Sequence, residues 1–116
     1  MMMTSAQLDA AFFALADPTR RAILGRLAGG EATVMELAEP FAMSQPAISR
    51  HLKVLEQAGL IERRREAQRR PCRLEPRSLI AAGAWIERCR EIWEMNYRRL
   101  DAVLEEMKAA EEPSGG

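Results

Sequence analysis

The sequence predicts a mainly α-helical fold of about five helices with one two-stranded β-hairpin. Three observations support this prediction: apolar residues recur at helical spacing, polar or proline residues stand where helices begin, and a short apolar and basic segment separates the last two helices. The chain has 116 residues, of which 47% are hydrophobic. This length and composition are typical of one globular domain with its own core. We expect that domain to span residues 5–110 and residues 111–116 to form a disordered tail.

Two helices are predicted at the start of the chain. Apolar residues at helical spacing indicate the first, from Ser5 to Ala16. Asp17-Pro18 then marks the start of the second, because an Asp N-cap accepts hydrogen bonds from free backbone N–H groups and proline suits the first helical position. Gly29-Gly30 follows the last apolar residue of this pattern and is expected to end the helix.

The third and fourth predicted helices are short, consecutive and separated by a tight turn. Thr33 and Glu36 have the spacing of a capping box, which opens a helix that ends near Pro40. Ser44 is the expected N-cap of the next helix, from Gln45 to Ala58. The apolar stripe of that helix consists of Ile48, Leu52 and Leu55. Two helices joined in this way are typical of a helix-turn-helix, and the hairpin that follows adds a wing.

The predicted hairpin and the last helix complete the chain. Leu60-Ile61 and the charged residues after it indicate an outgoing strand, and Cys72-Arg73-Leu74 indicates the returning one. The tip between these strands is polar and basic. A long last helix is predicted from about Ser78 to Ala110 by apolar residues that recur every three or four positions.

Charge is distributed unevenly along a chain whose formal net charge is zero. Residues 44–77 contain nine Lys and Arg against four acidic residues, whereas residues 1–43 and 78–116 are both net acidic. Only a surface that faces phosphate needs to be positive, so a basic middle segment favours binding to nucleic acid. Charge alone is also compatible with an ordinary hydrated loop.

The polar face of the predicted fourth helix carries side chains that suit duplex DNA. Arg50 can bond guanine O6 and N7 together, and Gln45 can do the same with adenine, in the major groove. The full set of predicted DNA contacts is Ser44, Gln45, Pro46, Ser49, Arg50, His51 and Lys53 on this helix, with Arg69 and Arg70 at the hairpin tip. The alternative is an amphipathic helix whose polar face is only hydrated.

The first and last predicted helices carry more apolar surface than a small domain can cover. We expect these residues to form a dimer interface: Leu8, Phe12, Phe13, Trp85, Cys89, Trp93, Tyr97, Leu100 and Leu104. Pairing around a two-fold axis would place two recognition helices about 34 Å apart, one turn of DNA. The alternative is that the last helix folds back on its own domain.

Several classes of protein are disfavoured. The chain has no phosphate-binding glycine loop, one histidine and no evident nucleophile, so we expect neither an enzyme nor a cofactor. Cys72 and Cys89 match no metal-binding pattern, and we expect no metal site; a redox pair remains an alternative to two free thiols. No apolar stretch is long enough to span a bilayer and no secretory signal is visible, which predicts a cytoplasmic protein.

Two segments resemble the ArsR family of bacterial winged-helix regulators. Asp17 to Leu24 reads Asp-Pro-Thr-Arg-Arg-Ala-Ile-Leu, and Ser44 to Leu55 reads Ser-Gln-Pro-Ala-Ile-Ser-Arg-His-Leu-Lys-Val-Leu, with Ala-Gly-Leu-Ile soon after. The resemblance spans residues 8–107. It implies a homodimer that binds a palindromic operator near a promoter and represses by blocking polymerase. It also implies that the base-reading positions are Gln45, Pro46, Ser49 and Arg50.

The sequence departs from the metal-sensing members of that family. Those members carry a Cys-x-Cys pair before the recognition helix, or His and acidic ligands on the last helix. Residues 36–40 here contain no cysteine, and the last helix contains no histidine. Two further hypotheses stay open: a repressor that responds to a ligand or to thiol oxidation, and a winged helix that binds protein rather than DNA.

Overall fold

The computed structural model describes residues 3–64 and 70–111. Its elements are, in chain order, α1 (Ser5–Leu15), α2 (Pro18–Leu27), α3 (Val34–Ala38), a 3₁₀ turn (Glu39–Phe41), α4 (Gln45–Gln57), β1 (Ile61–Arg63), β2 (Cys72–Leu74) and α5 (Pro76–Glu111). The described residues thus form five α-helices and one two-stranded sheet, which confirms the predicted fold class. None of these described helices is both long and apolar enough to cross a membrane.

The chain divides into two compact units, Met1–Gly83 and Ala84–Gly116. We call the first the core unit, because it contains α1 to α4, the sheet and the first turns of α5. We call the second the helical unit; its described part is the remainder of α5. The predicted tail at residues 111–116 lies outside the described residues except for Glu111, which is the last residue of α5.

The helices of the core unit begin where the sequence predicts. The side chain of Asp17 accepts a hydrogen bond from the backbone N–H of Arg20, and Pro18 follows it as the first residue of α2. Thr33 forms the predicted capping box at the start of α3, and the Ser44 side chain accepts from a backbone N–H at the start of α4. These caps satisfy N–H groups that have no partner within their helices.

The interior of the core unit is built mainly from aliphatic side chains. Its largest fully buried side chains are Ile23, Leu37, Ile48, Leu52, Leu55, Leu60 and Cys72. From α1 the fully buried residues are two alanines, Ala11 and Ala14, which the sequence pattern did not single out. Such small residues let a helix backbone approach its neighbours closely, so α1 contributes to the core without burying a large side chain.

The hairpin is antiparallel, and Ile61 pairs with Leu74 and Arg63 with Cys72. The first strand ends at Arg63, sooner than the sequence suggested. Cys72 also pairs with Ala32, whose carbonyl oxygen lies 2.7 Å from the Cys72 nitrogen. This extra backbone contact joins the hairpin to the segment between α2 and α3, and the side chain of Cys72 is fully buried in the core cluster.

Candidate nucleic-acid interface

The orientation of α4 is determined by its buried stripe. Ile48, Leu52 and Leu55 are all fully buried, as the sequence predicted. A helix that buries one side against the core presents the opposite side to solvent. The outward side of α4 is therefore fixed by packing over three turns rather than by loop conformation.

The predicted base-reading and phosphate-binding residues lie on or near this outward side. Gln45, Pro46, Arg50 and Lys53 are exposed, as is the N-cap Ser44, and Ser49 is partly buried. Within the described part of the chain, neither Arg50 nor Lys53 takes part in an ion pair. Their positive charges are thus not neutralised there by acidic side chains, and both side chains are available to an anionic or polar ligand.

The wing contributes further positive charge, part of which is neutralised within the chain. Arg73 pairs with Glu62 at 2.9 Å, and Arg64 approaches Glu31 at 3.9 Å. Arg70 is exposed two residues before β2, in the connection between the strands, where it lines a cleft of about 210 Å³. The other predicted wing contact, Arg69, lies outside the described residues.

His51, the remaining predicted contact on α4, lies in a polar cluster with Arg20 and Asp17 that was not predicted from the sequence. Its side chain is only 20% exposed. Nδ1 of His51 lies 3.4 Å from Nη1 of Arg20 and 3.9 Å from Oδ2 of Asp17. Arg20 is itself buried, and it is the one charged residue that is buried among the described residues. The sequence carries one signal for this cluster, the Asp-Pro-Thr-Arg segment, which predicted a helix start and the family resemblance but no contact with His51.

Asp17 serves this cluster as both cap and counter-charge. The backbone N–H of Arg20 donates to its carboxylate at 3.0 Å. This hydrogen bond is the main cause that lowers the pKa of Asp17 below its usual value; burial opposes it less strongly, and the charge of Arg20, with that of His51 whenever its ring is protonated, adds to the lowering. Asp17 is therefore ionised at neutral pH.

The predicted dimer residues are exposed on α5, whereas those on α1 are partly exposed and partly buried. Along α5, Trp85, Cys89, Trp93, Tyr97, Leu100 and Leu104 are all exposed. Trp93 and Tyr97 stack with their ring centres 5.3 Å apart. On α1, Phe13 is 64% exposed, whereas Leu8 and Phe12 are partly buried.

The two cysteines differ in environment. Cys72 is buried and its pKa is raised, chiefly because burial penalises the thiolate. Cys89 is exposed, and both thiols are free. Across residues 3–64 and 70–111, no group of three or more His, Cys, Asp or Glu side chains is arranged to hold a metal ion.

The chain is similar to known regulators. A model described as a helix-turn-helix domain matches residues 15–64. The HTH-type transcriptional regulator Rv2034 of Mycobacterium tuberculosis is 46% identical over 87 residues, which are 75% of this chain and 81% of that protein. The transcriptional repressor SdpR of Bacillus subtilis is 49% identical over 57 residues, 49% of this chain and 63% of that protein.

Solved structures agree with these relatives. The crystal structure of an ArsR family transcriptional regulator superposes with a TM-score of 0.74 at 45% identity, over 81% of this chain and 97% of that one. The homodimeric winged helix-turn-helix DNA-binding domain Mb0332 of Mycobacterium bovis superposes with a TM-score of 0.60 at 30% identity, over 75% and 82%. These relatives are transcriptional regulators rather than enzymes. The chain belongs to the ArsR family of DNA-binding, winged helix-turn-helix transcriptional regulators.

Proposed function

We propose that this regulator is a homodimeric repressor, with α4 of each subunit in the major groove of a palindromic operator. The observation that carries the proposal is the combination on α4 of a fully buried apolar stripe with an outward face of polar and basic side chains. A rigidly packed helix holds such side chains in a fixed register, which base recognition requires. We assign DNA binding and dimerisation to one domain, residues 5–110, which acts in the cytoplasm of a prokaryotic cell.

The side chains of α4 divide into two roles. Arg50 and Gln45 present paired donors or a donor and an acceptor, which suit guanine and adenine edges, with Pro46 and Ser49 beside them. Ser44 and Lys53, together with the N-terminus of α4, suit phosphate oxygens and set the register. Arg69 and Arg70 are proposed to contact the backbone from the wing.

Dimerisation is proposed through the exposed apolar residues of α5 and α1. A monomer in water would leave these large apolar side chains exposed, which soluble proteins rarely tolerate for so many residues. The homodimeric state of the Mycobacterium bovis domain supports this assembly. The repressor name of the Bacillus subtilis relative supports repression rather than activation. An operator upstream of the protein's own gene would make the repressor self-regulating.

The test is binding of the purified protein to its own upstream DNA and to a scrambled duplex across a salt series. We expect a footprint with two halves about one DNA turn, ~34 Å, apart on the native duplex alone. Arg50→Ala should cost about 1–3 kcal/mol on the native duplex and little on the scrambled one. Arg70→Ala should weaken binding to both and reduce the salt dependence.

The matched control is Arg26→Ala, which removes an equal charge from an exposed side chain of α2 that pairs with Glu36. This variant should bind both duplexes as the wild type does. Equal losses from Arg50→Ala on the native and scrambled duplexes would contradict base reading by Arg50. Equal weak binding of the wild type to both duplexes would contradict autorepression through this DNA.

A further inference from the structure

We propose that Arg20 is a positioning residue for DNA binding, which holds His51 of α4 in the neutral tautomer that carries its proton on Nε2. Arg20 lies on α2 and is too buried to bind DNA itself. It acts instead through His51, the direct neighbour of Arg50. The inference rests on the proposed role of α4 in DNA binding.

The guanidinium of Arg20 is fixed at the end of α1. Its Nε donates to the carbonyl oxygen of Ala14 at 2.7 Å, and its Nη2 donates to that of Phe13 at 2.9 Å. Both carbonyls belong to the last turn of α1, where carbonyl groups lack the full set of helical partners; that of Phe13 also accepts the backbone N–H of Ala16 at 3.2 Å. The Phe13 ring lies 5.2 Å from Cζ of the same guanidinium, at the distance of a cation–π contact. These contacts determine where the remaining nitrogen, Nη1, can lie.

Nη1 of Arg20 lies 3.4 Å from Nδ1 of His51, and this pairing selects one tautomer. A guanidinium only donates hydrogen bonds and does not lose its proton in a protein. Nδ1 of His51 must therefore be the acceptor, which requires a neutral ring with its proton on Nε2.

A competing arrangement exists in the same cluster. Oδ2 of Asp17 lies 3.9 Å from Nδ1 of His51, so a protonated Nδ1 would turn its hydrogen bond from Arg20 to Asp17. That carboxylate oxygen already accepts the backbone N–H of Arg20 at 3.0 Å. The shorter distance to Arg20, 3.4 Å against 3.9 Å to Asp17, favours the Nε2–H tautomer.

The tautomer matters for DNA binding because it determines whether Nε2 of His51 is a hydrogen-bond donor or an acceptor. A ring with its proton on Nε2 is a hydrogen-bond donor at that nitrogen, which suits a phosphate oxygen, whereas a bare Nε2 lone pair would repel it. The same arginine also joins Phe13, a predicted dimer residue, to the recognition helix. Arg20 thus fixes the position of α4 relative to the end of α1 as well as the donor that α4 presents.

Nuclear magnetic resonance of the imidazole nitrogens tests the tautomer directly, because His51 is the single histidine of the chain. We expect the Nε2–H form in the wild-type protein at neutral pH, with or without DNA. Arg20→Met removes the donor and should give a mixture of tautomers. A wild-type spectrum of the Nδ1–H form, or of a doubly protonated ring, would overturn the proposal whether or not the Arg20 variant folds.

Binding to the native upstream duplex tests whether the tautomer matters. Arg20→Met releases both the tautomer of His51 and the contact that positions its ring, and the two effects together should weaken binding about tenfold, equivalent to about 1.4 kcal/mol. His51→Gln keeps an amide donor near the Nε2 position but places no acceptor at the Nδ1 position that Arg20 contacts, and in this background Arg20→Met should change the affinity by less than about twofold. The thermal unfolding midpoint of each variant is measured first, so that DNA binding is compared at a temperature at which all variants are folded.

The outcomes separate this inference from the proposed function. Equal tenfold losses from Arg20→Met with and without His51 would mean that Arg20 does not act through His51. A lost tautomer preference with unchanged DNA affinity would contradict the positioning role alone. Wild-type protein that binds native and scrambled duplexes equally would contradict the proposed function, while the NMR result on the tautomer would still stand.

Discussion

The core unit and the helical unit use their apolar residues in opposite ways. In the core unit, large side chains such as Leu52 and Leu60 are fully buried. In the described part of the helical unit no side chain is buried, and Trp93 is 65% exposed. Burial of apolar area is the main favourable contribution to folding. The core unit buries its apolar area within one chain. The helical unit can bury its own only against a surface that covers the exposed apolar residues of α5.

The polar contacts of the two units also differ: those of the core unit join different elements, whereas those of the helical unit lie within one helix. The core unit contains a buried arginine with backbone and side-chain partners on other elements, which fixes how those elements pack. The helical unit has local pairs of Arg90 with Glu87 and Glu94, one turn apart on an exposed face. Such pairs support a helix but do not specify what it packs against. The described contacts of the core unit thus specify its packing, whereas those of the helical unit do not specify what covers its apolar stripe.

The largest effect is expected from truncation of the core unit. Leu52→Ala removes a fully buried side chain from α4 and should cost about 2–5 kcal/mol of unfolding free energy, measured by urea denaturation. The matched control is Lys53→Ala, the next residue on the same helix, which is exposed and should change stability by less than about 0.5 kcal/mol. Similar costs for the two variants would show that α4 is not packed as described.

A smaller effect, of a different kind, is expected from the helical unit. Trp93→Ala should weaken dimerisation by about 2 kcal/mol, or about thirtyfold in dissociation constant, as measured by sedimentation equilibrium. The control is Met95→Ala, which removes an exposed side chain outside the spacing of the apolar stripe and should leave dimerisation unchanged. If Trp93→Ala lowers the stability of the monomer and not the dimerisation constant, the stripe is covered within one chain.

The reaction rates of the two thiols with one reagent measure the burial of both units, since Cys72 lies in the core unit and Cys89 in the helical unit. Cys72 should react with a thiol reagent only at the rate of unfolding, because it is buried and burial raises its pKa. Cys89 should react quickly in dilute protein and more slowly as the concentration rises through the dimer dissociation constant. Concentration-independent reactivity of Cys89 would place this part of α5 outside the dimer interface.

The smallest effect is expected from the cap of α2. The pKa of Asp17 is lower in the folded chain than in the unfolded one, so its ionised carboxylate stabilises the fold above the unfolded pKa. That contribution should be lost as the pH falls through the folded pKa, below about pH 4. Asp17→Asn keeps a capping oxygen but does not titrate, so the stability difference from the wild type should shrink in acid. A difference that stays constant from neutral pH to pH 2 would contradict this role of Asp17.

Local signals made much of the core unit predictable from the sequence. The helix starts at Pro18 and Gln45 follow from caps within one turn, and the buried stripe of α4 follows from helical periodicity. The extents of β1 and α5 were less accurate. A strand end depends on pairing with a distant segment, and the start of α5 at Pro76 depends on where β2 stops.

Contacts between distant segments were not predictable. The pairing of Ala32 with Cys72 and the contact of Arg20 with His51 join residues far apart in the chain, and the contact of Arg20 with Phe13 joins two consecutive helices. No periodicity or capping pattern encodes them, since the Arg20 contacts arise only when α1, α2 and α4 pack together and the Ala32 pairing only when β2 meets the segment between α2 and α3. For the candidate interface, the sequence predicted which side chains α4 exposes, and it missed the buried arginine behind them.

We propose that the helical unit brings two core units together on DNA. This proposal is tested by the mass of the complex formed on the footprinted upstream duplex, measured for the wild type and for Trp93→Ala at the same protein concentration. We expect two chains per duplex for the wild type, and loss of that complex at low concentration for the variant. One chain per duplex for the wild type, or an unchanged two-chain complex in every interface variant, would contradict it.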